Sequence, residues 1–111
     1  MKKHSKDVGA LLIDQIGVMM GPDYAVTMAR ERPWASITFS GTRHSIVVGG
    51  LRQDDIGVSP LFAEKLAEQE FILPGHFVAD LLVAGRNARD GSIKIEILTI
   101  IDPLASSKNN V

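Results

Sequence analysis

The chain has 111 residues, a formal net charge of −1 and no cysteine. That length gives one domain, with roughly two-thirds of its unfolded surface buried. A near-neutral charge supplies no field for a phosphate backbone, and 5% aromatics leave few platforms for stacking bases; the missing thiols remove disulfides, thiolate catalysis and zinc–thiolate sites.

The apolar run from Val8 to Met20 follows Lys2 and Lys3 and imitates a secretory leader. Asp7, Asp14 and Gln15 break that pattern, and no small-residue cleavage site follows Met20. The run is too short to cross a bilayer. A reducing cytoplasm, without membrane or nucleic-acid partners, is the expected setting.

The same run reads as the first helix. Ser5 is its cap, Asp7 lies in the first turn, and Gly21-Pro22 stop it. Val8, Leu12, Ile16 and Met19 form one stripe, and Leu11, Ile13, Val18 and Met20 widen it. A helix lying on one sheet needs less apolar surface than this. Its second side must therefore meet either more of the chain or another subunit.

Pro22 to Arg32 has no clear period. Asp23 to Met28 suits a short edge strand or a helical turn, and Arg30-Glu31-Arg32-Pro33 reads as an exposed hinge. Trp34 to Gly49 is read as the first hairpin, turning at Ser40-Gly41-Thr42-Arg43 with glycine where a type II′ turn wants it. That turn pairs Phe39 with His44, Ile37 with Ile46 and Ala35 with Val48. It sends Thr38 and Ser45 to the wet side. Leu51 to Val58 is a loop, and Asp54-Asp55 within it is a cap or a solvated pair.

Ser59-Pro60 starts the second helix, serine capping and proline in the first turn. Phe62, Ala63, Leu66 and Ala67 are its buried stripe, and Pro74-Gly75 is a turn. His76 to Ala84 and Ser92 to Ile101 form a second hairpin around the polar loop Gly85 to Gly91. Ile93, Ile95 and Ile97 alternate with Lys94 and Glu96, as a half-buried strand requires. Alternation in the partner places His76, Val78, Asp80 and Leu82 on the outer face. The ends, 1–4 and 103–111, are expected to be flexible.

The order αββαββ implies an α+β two-layer sandwich, a four-stranded antiparallel or mixed sheet with both helices on one face. This order resembles a ferredoxin-like fold whose first strand has moved to the end. The resemblance implies strand order 3-4-2-1, with strands two and four central and parallel to each other. Leu12, Ile16, Ile37, Phe39, Ile46, Phe62, Leu66, Leu81, Ile95 and Ile97 are the expected core.

Candidate chemistry is sparse. His44 points inward and suits a hydrogen-bonded core edge. His76 and Asp80, four strand positions apart, are separated by about 13 Å, too far for a dyad. His4 precedes the first helix. Three histidines without short spacing make no metal site, and no cofactor is expected. Arg86 and Arg89 lie in a solvated loop. No phosphate cradle, G-x-S-x-G elbow or H-E-x-x-H helix is present.

The outer face is more informative. Arg43, His76, Asp80, Lys94 and Glu96 are its candidate ligand-binding groups. Val47, Val78, Leu82, Leu98 and Ile100 are the candidate dimer contact, because exposed aliphatic area of that extent marks an interaction surface. The favoured reading is a non-enzymatic homodimeric interaction or regulatory binding module. The alternative is a small enzyme or small-molecule binder, its ligand unknown, with a pocket at the dimer seam or on the outer sheet face.

Overall fold

In a computed structural model, residues 7–51, 58–59 and 61–104 are described. The fold is α+β: a four-stranded antiparallel sheet and two helices. The elements are α1 (Val8–Met20), β1 (Tyr24–Ala35), β2 (Ser40–Gly50), α2 (Leu61–Glu68), β3 (His76–Arg86) and β4 (Ile93–Ile101). The sheet order is β1-β2-β4-β3.

Both helices begin and end on local chemistry. Asp7, not Ser5, caps α1: its Oδ1 accepts from the Ala10 N–H at 2.7 Å. Ser5 lies outside the described residues. At the other end Gly21, at φ 93°, donates to the Gly17 carbonyl, and Pro22 follows. Ser59 caps α2, its Oγ accepting from the Leu61 N–H at 3.2 Å. Pro60, the pair Asp54-Asp55 and His4 fall outside the described residues.

The wide apolar surface of α1 is covered on two sides by the chain itself. Leu12 and Ile16 enter the core, while Met19 and Met20 border a cleft of about 240 Å³ shared with Leu61 and Phe62 of α2. Gln15 completes that second side. Its amide donates to the Ile72 carbonyl at 2.8 Å and accepts from the Ile72 N–H at 2.9 Å. Val18 stays exposed.

The core joins Leu12 and Ile16 of α1, Phe62 and Leu66 of α2, Ile46 and Val48 of β2, and Ile93, Ile95 and Ile97 of β4. Both helices therefore lie on the face that β2 presents through even positions and β4 through odd ones. Val58 and Leu73 complete the cluster, and Leu81 packs at its border.

The first hairpin differs from the sequence expectation. Its turn is Ser36–Phe39, where the Ser36 N–H donates to the Phe39 carbonyl at 2.8 Å and the Phe39 N–H to Ser36 Oγ at 3.1 Å. Ala35 pairs with Ser40, Glu31 with His44, Met28 with Ile46 and Val26 with Val48. Ile37 and Phe39 are consequently exposed in the turn, not buried in the core. The reason is that β2 is central and bonded along both sides. A turn at Gly41-Thr42 would take those residues out of the ladder that pairs them with Ile100 and Thr99 of β4. Gly41 is used differently: a Cβ there would strike the Thr99 carbonyl, and the β2 backbone presses onto β4 at that point.

The central strands β2 and β4 run antiparallel, not parallel. The α2 crossover joins β2 to β3 in the same direction, and β4 turns back from β3 into the gap between them. Three residues have no register partner: Ala29 in β1, and Ala79 and Ala84 in β3. Each is a bulge, and each reverses the strand's inside–outside alternation from there on.

Candidate functional site

Two places collect polar side chains into defined geometry. One is inside, beneath the first turn of α1. The other is the open face of the sheet.

Inside, His44 is 1% exposed and Thr99 is 1% exposed, and the two meet across β2 and β4. His44 Nδ1 lies 2.7 Å from Glu31 Oε2, and His44 Nε2 lies 2.8 Å from Thr99 Oγ1. A carboxylate only accepts, so Nδ1 carries the proton. The Thr99 hydroxyl has one proton and two acceptors, Nε2 at 2.8 Å and the Thr42 carbonyl at 3.5 Å. The shorter contact takes it, which makes Nε2 an acceptor.

The order carboxylate–imidazole–hydroxyl is that of a hydrolytic triad. Access argues against the chemistry. A nucleophile must reach a substrate, and Thr99 is sealed under the sheet's helix side. The three groups instead tie β1, β2 and β4 together, a network that runs from exposed Glu31 to buried His44 and Thr99 and leaves no buried side-chain polar atom without a partner among the described residues. The expectation that His44 is a hydrogen-bonded core histidine agrees with this geometry. Its carboxylate partner is not visible in the sequence, where Arg30-Glu31-Arg32-Pro33 reads as an exposed hinge.

The outer face is ordered in rows by strand register. One row runs Trp34 (β1), Gly41 (β2), Ile100 (β4), Phe77 (β3); the next runs Arg32, Arg43, Leu98, Asp80; the third runs Arg30, Ser45, Glu96, Leu82. Ser45 Oγ donates to Glu96 Oε2 at 2.8 Å. Arg30, Arg32, Arg43 and Asp80 make no ion pair or side-chain hydrogen bond among the described residues.

The candidate ligand-binding groups are only partly brought together. Arg43, Asp80, Lys94 and Glu96 share the outer face, as expected. Asp80 and Lys94 stand two rows apart, about 13 Å along the strands. They neither pair nor line one pocket. Lys94 borders an open depression of about 380 Å³ with Val47, Gly85 and Arg86. His76 is on the helix side, its Nδ1 2.9 Å from the Pro74 carbonyl, because the bulge at Ala79 reverses the alternation before Asp80.

The five aliphatics also divide. Val47, Leu82, Leu98 and Ile100 lie on the outer face, but Val78 packs against the core for the same reason as His76. Leu98 and Ile100 are 7% and 3% exposed within a single chain, so they add little uncovered area. Sequence reasoning missed Trp34 and Phe77, which flank Ile100's row. Phe77 is 41% exposed and Leu82 44%.

The loop between β3 and β4 is built for shape. Asn87 Oδ1 accepts from the Arg89 and Asp90 N–H groups, and Arg86 Nη1 donates to the Gly91 carbonyl at 3.0 Å. Asp90 Oδ1 accepts from the Ser92 N–H at 2.9 Å, and the Ser92 backbone and hydroxyl hold its carboxyl below the usual aspartate range. Among the described residues no group of histidine and carboxylate side chains could hold a metal, and no helix is long and apolar enough to cross a membrane. No family model, curated protein or solved structure matches this chain.

Proposed function

We propose that this protein is a non-enzymatic homodimeric interaction module that pairs through the outer face of its sheet. The observation that carries the reading is the outer side of that sheet, where exposed Phe77 and Leu82 and half-buried Trp34 lie on a face that neither described helix covers. Four strands about 4.8 Å apart and nine residues of β4 at about 3.4 Å give a footprint of roughly 19 by 30 Å. That outline is smaller than the roughly 800 Å² a standard interface takes from each partner, and Leu98, Ile100 and Ser45 within it are already buried, so Trp34, Phe77 and Leu82 carry the contact.

Pairing through an edge is the weaker route. The β1 edge carries Pro33 and a bulge at Ala29, and the β3 edge is interrupted at Ala79 and Ala84. Such features blunt strand addition. The element order and strand order also support a permuted ferredoxin-like fold, an architecture that fixes no activity by itself.

Sedimentation of the full chain at micromolar concentration tests the reading. A species of twice 12.0 kDa is expected. Leu98 is a poor probe because it is already buried in one chain; Leu82→Lys should give a folded monomer. An unmodified chain that sediments at 12.0 kDa would end the proposal.

A further inference from the structure

Arg32 and Arg43 stand directly opposite each other on β1 and β2, both on the outer face. Like charges in that position destabilise a sheet. Among the described residues neither has an acidic partner, and Asp80, at the far end of the same row, has no basic one. The row therefore reads positive at one end, apolar at Leu98, and negative at the other. An inverted copy of the same row satisfies both of its charged ends.

We infer that the dimer's two-fold axis runs parallel to the strands, between β2 and β4, so that Asp80 of each copy faces Arg32 of the other. This rests on the dimer reading above and adds its geometry. Rotation about that axis lays β1 over the partner's β3, and β2 over its β4. Sheets stacked face to face lie about 10 Å apart and within about 30° of alignment, close enough to keep this correspondence.

The row above agrees with the same rotation. Gly41, which has no side chain, comes opposite Ile100, and Trp34 opposite Phe77, so a notch meets a bulky group and an aromatic meets an aromatic. The other face-to-face axis, perpendicular to the strands, fails on charge. It lays β1 antiparallel on the partner's β1, and placed between the two arginine rows it sets Arg30 of each copy against Arg32 of the other. A two-fold makes every contact twice, so both Arg32–Asp80 pairs form together.

The test is a charge exchange read by sedimentation equilibrium on the full chain. Arg32→Asp and Asp80→Arg should each weaken dimerisation at least about tenfold, and the double variant should recover to within about threefold of the unmodified chain. An unmodified dimer whose double variant shows no recovery overturns the axis while leaving the dimer intact. A monomeric unmodified chain overturns the dimer and the axis with it.

Folding of each variant is checked by thermal melting. An independent measurement uses the absence of native cysteine. Arg32→Cys mixed with Asp80→Cys should be joined by a bis-maleimide reaching about 10 Å, whereas Arg32→Cys alone should not be. Joining of Arg32→Cys to itself in preference to the mixture refutes the axis.

Discussion

Thr99→Val tests whether the interior network holds the sheet together. Valine keeps the shape of threonine and removes the hydroxyl that supplies His44 Nε2 at 2.8 Å. That nitrogen belongs to a side chain 1% exposed, so water cannot replace the lost partner. A buried acceptor left unpaired costs about 1–3 kcal/mol. The second contact of the hydroxyl, to the Thr42 carbonyl at 3.5 Å, is too long to add much. An unfolding entropy of about 2.1 cal/mol/K per residue converts the loss to a fall of about 4–13 °C in Tm. Urea denaturation and thermal melting at neutral pH both read it. Glu31→Gln is the internal control. It keeps an oxygen for Nδ1–H and should cost less than Thr99→Val. A loss below about 0.5 kcal/mol for Thr99→Val would refute the assignment of Thr99 as donor to a sealed imidazole.

Three further outcomes are expected. Ile95→Ala, at a fully buried position between Ile46 and Val83, should destabilise by about 2–5 kcal/mol in chemical denaturation; under about 1 kcal/mol would place it outside the core. Gly9→Ala should lose stability although alanine favours a helix by about 1 kcal/mol, because the new Cβ meets the Glu31 carboxylate that holds His44. In a Glu31→Ala background the same change should become stabilising, and a stabilising effect in the unmodified chain would show that Glu31 yields freely. Asp90 should titrate below the usual aspartate range by NMR, because Ser92 favours its ionised form. Its contribution to stability is then present above the unfolded-state pKa and lost as pH falls through the folded one, and Ser92→Ala should return the midpoint towards the ordinary value.

Much of the fold was legible because its signals are local. Gly21-Pro22 and Ser59 mark helix ends, and the alternation of Ile93, Ile95 and Ile97 marks β4 without ambiguity. The strand order β1-β2-β4-β3 is the one that the resemblance to a permuted ferredoxin-like fold implies. Where the reading failed, the deciding partner was distant. β1 carries Arg30, Glu31, Arg32 and Pro33 in succession, a composition that argues against a strand until β2 supplies the ladder. Gly41 looks like a turn glycine, yet its cause is the Thr99 carbonyl more than fifty positions away. The outer face was half legible: Arg43, Lys94 and Glu96 followed parity, while Val78 and His76 did not. No spacing marks a bulge when the unpaired residue is an alanine, small enough for either face.

The bulge at Ala29 links the two candidate features. Continued without interruption, the alternation that puts Met28 against Ile46 would put Arg30 opposite His44 and turn Glu31 to the outer face. His44 Nδ1 would then lose its carboxylate and face a cation instead; a buried donor left unpaired costs about 1–3 kcal/mol. One unpaired alanine reverses both outcomes. It delivers the single acid of the segment to His44 and moves both arginines to the open face, where Arg32 meets Arg43 across the strands. The like-charge pair on the surface and the satisfied imidazole beneath it thus have one backbone cause. The repulsion outside, a few tenths of a kcal/mol to about 1 kcal/mol, is the smaller term and is the one left for an acidic group on another molecule to relieve.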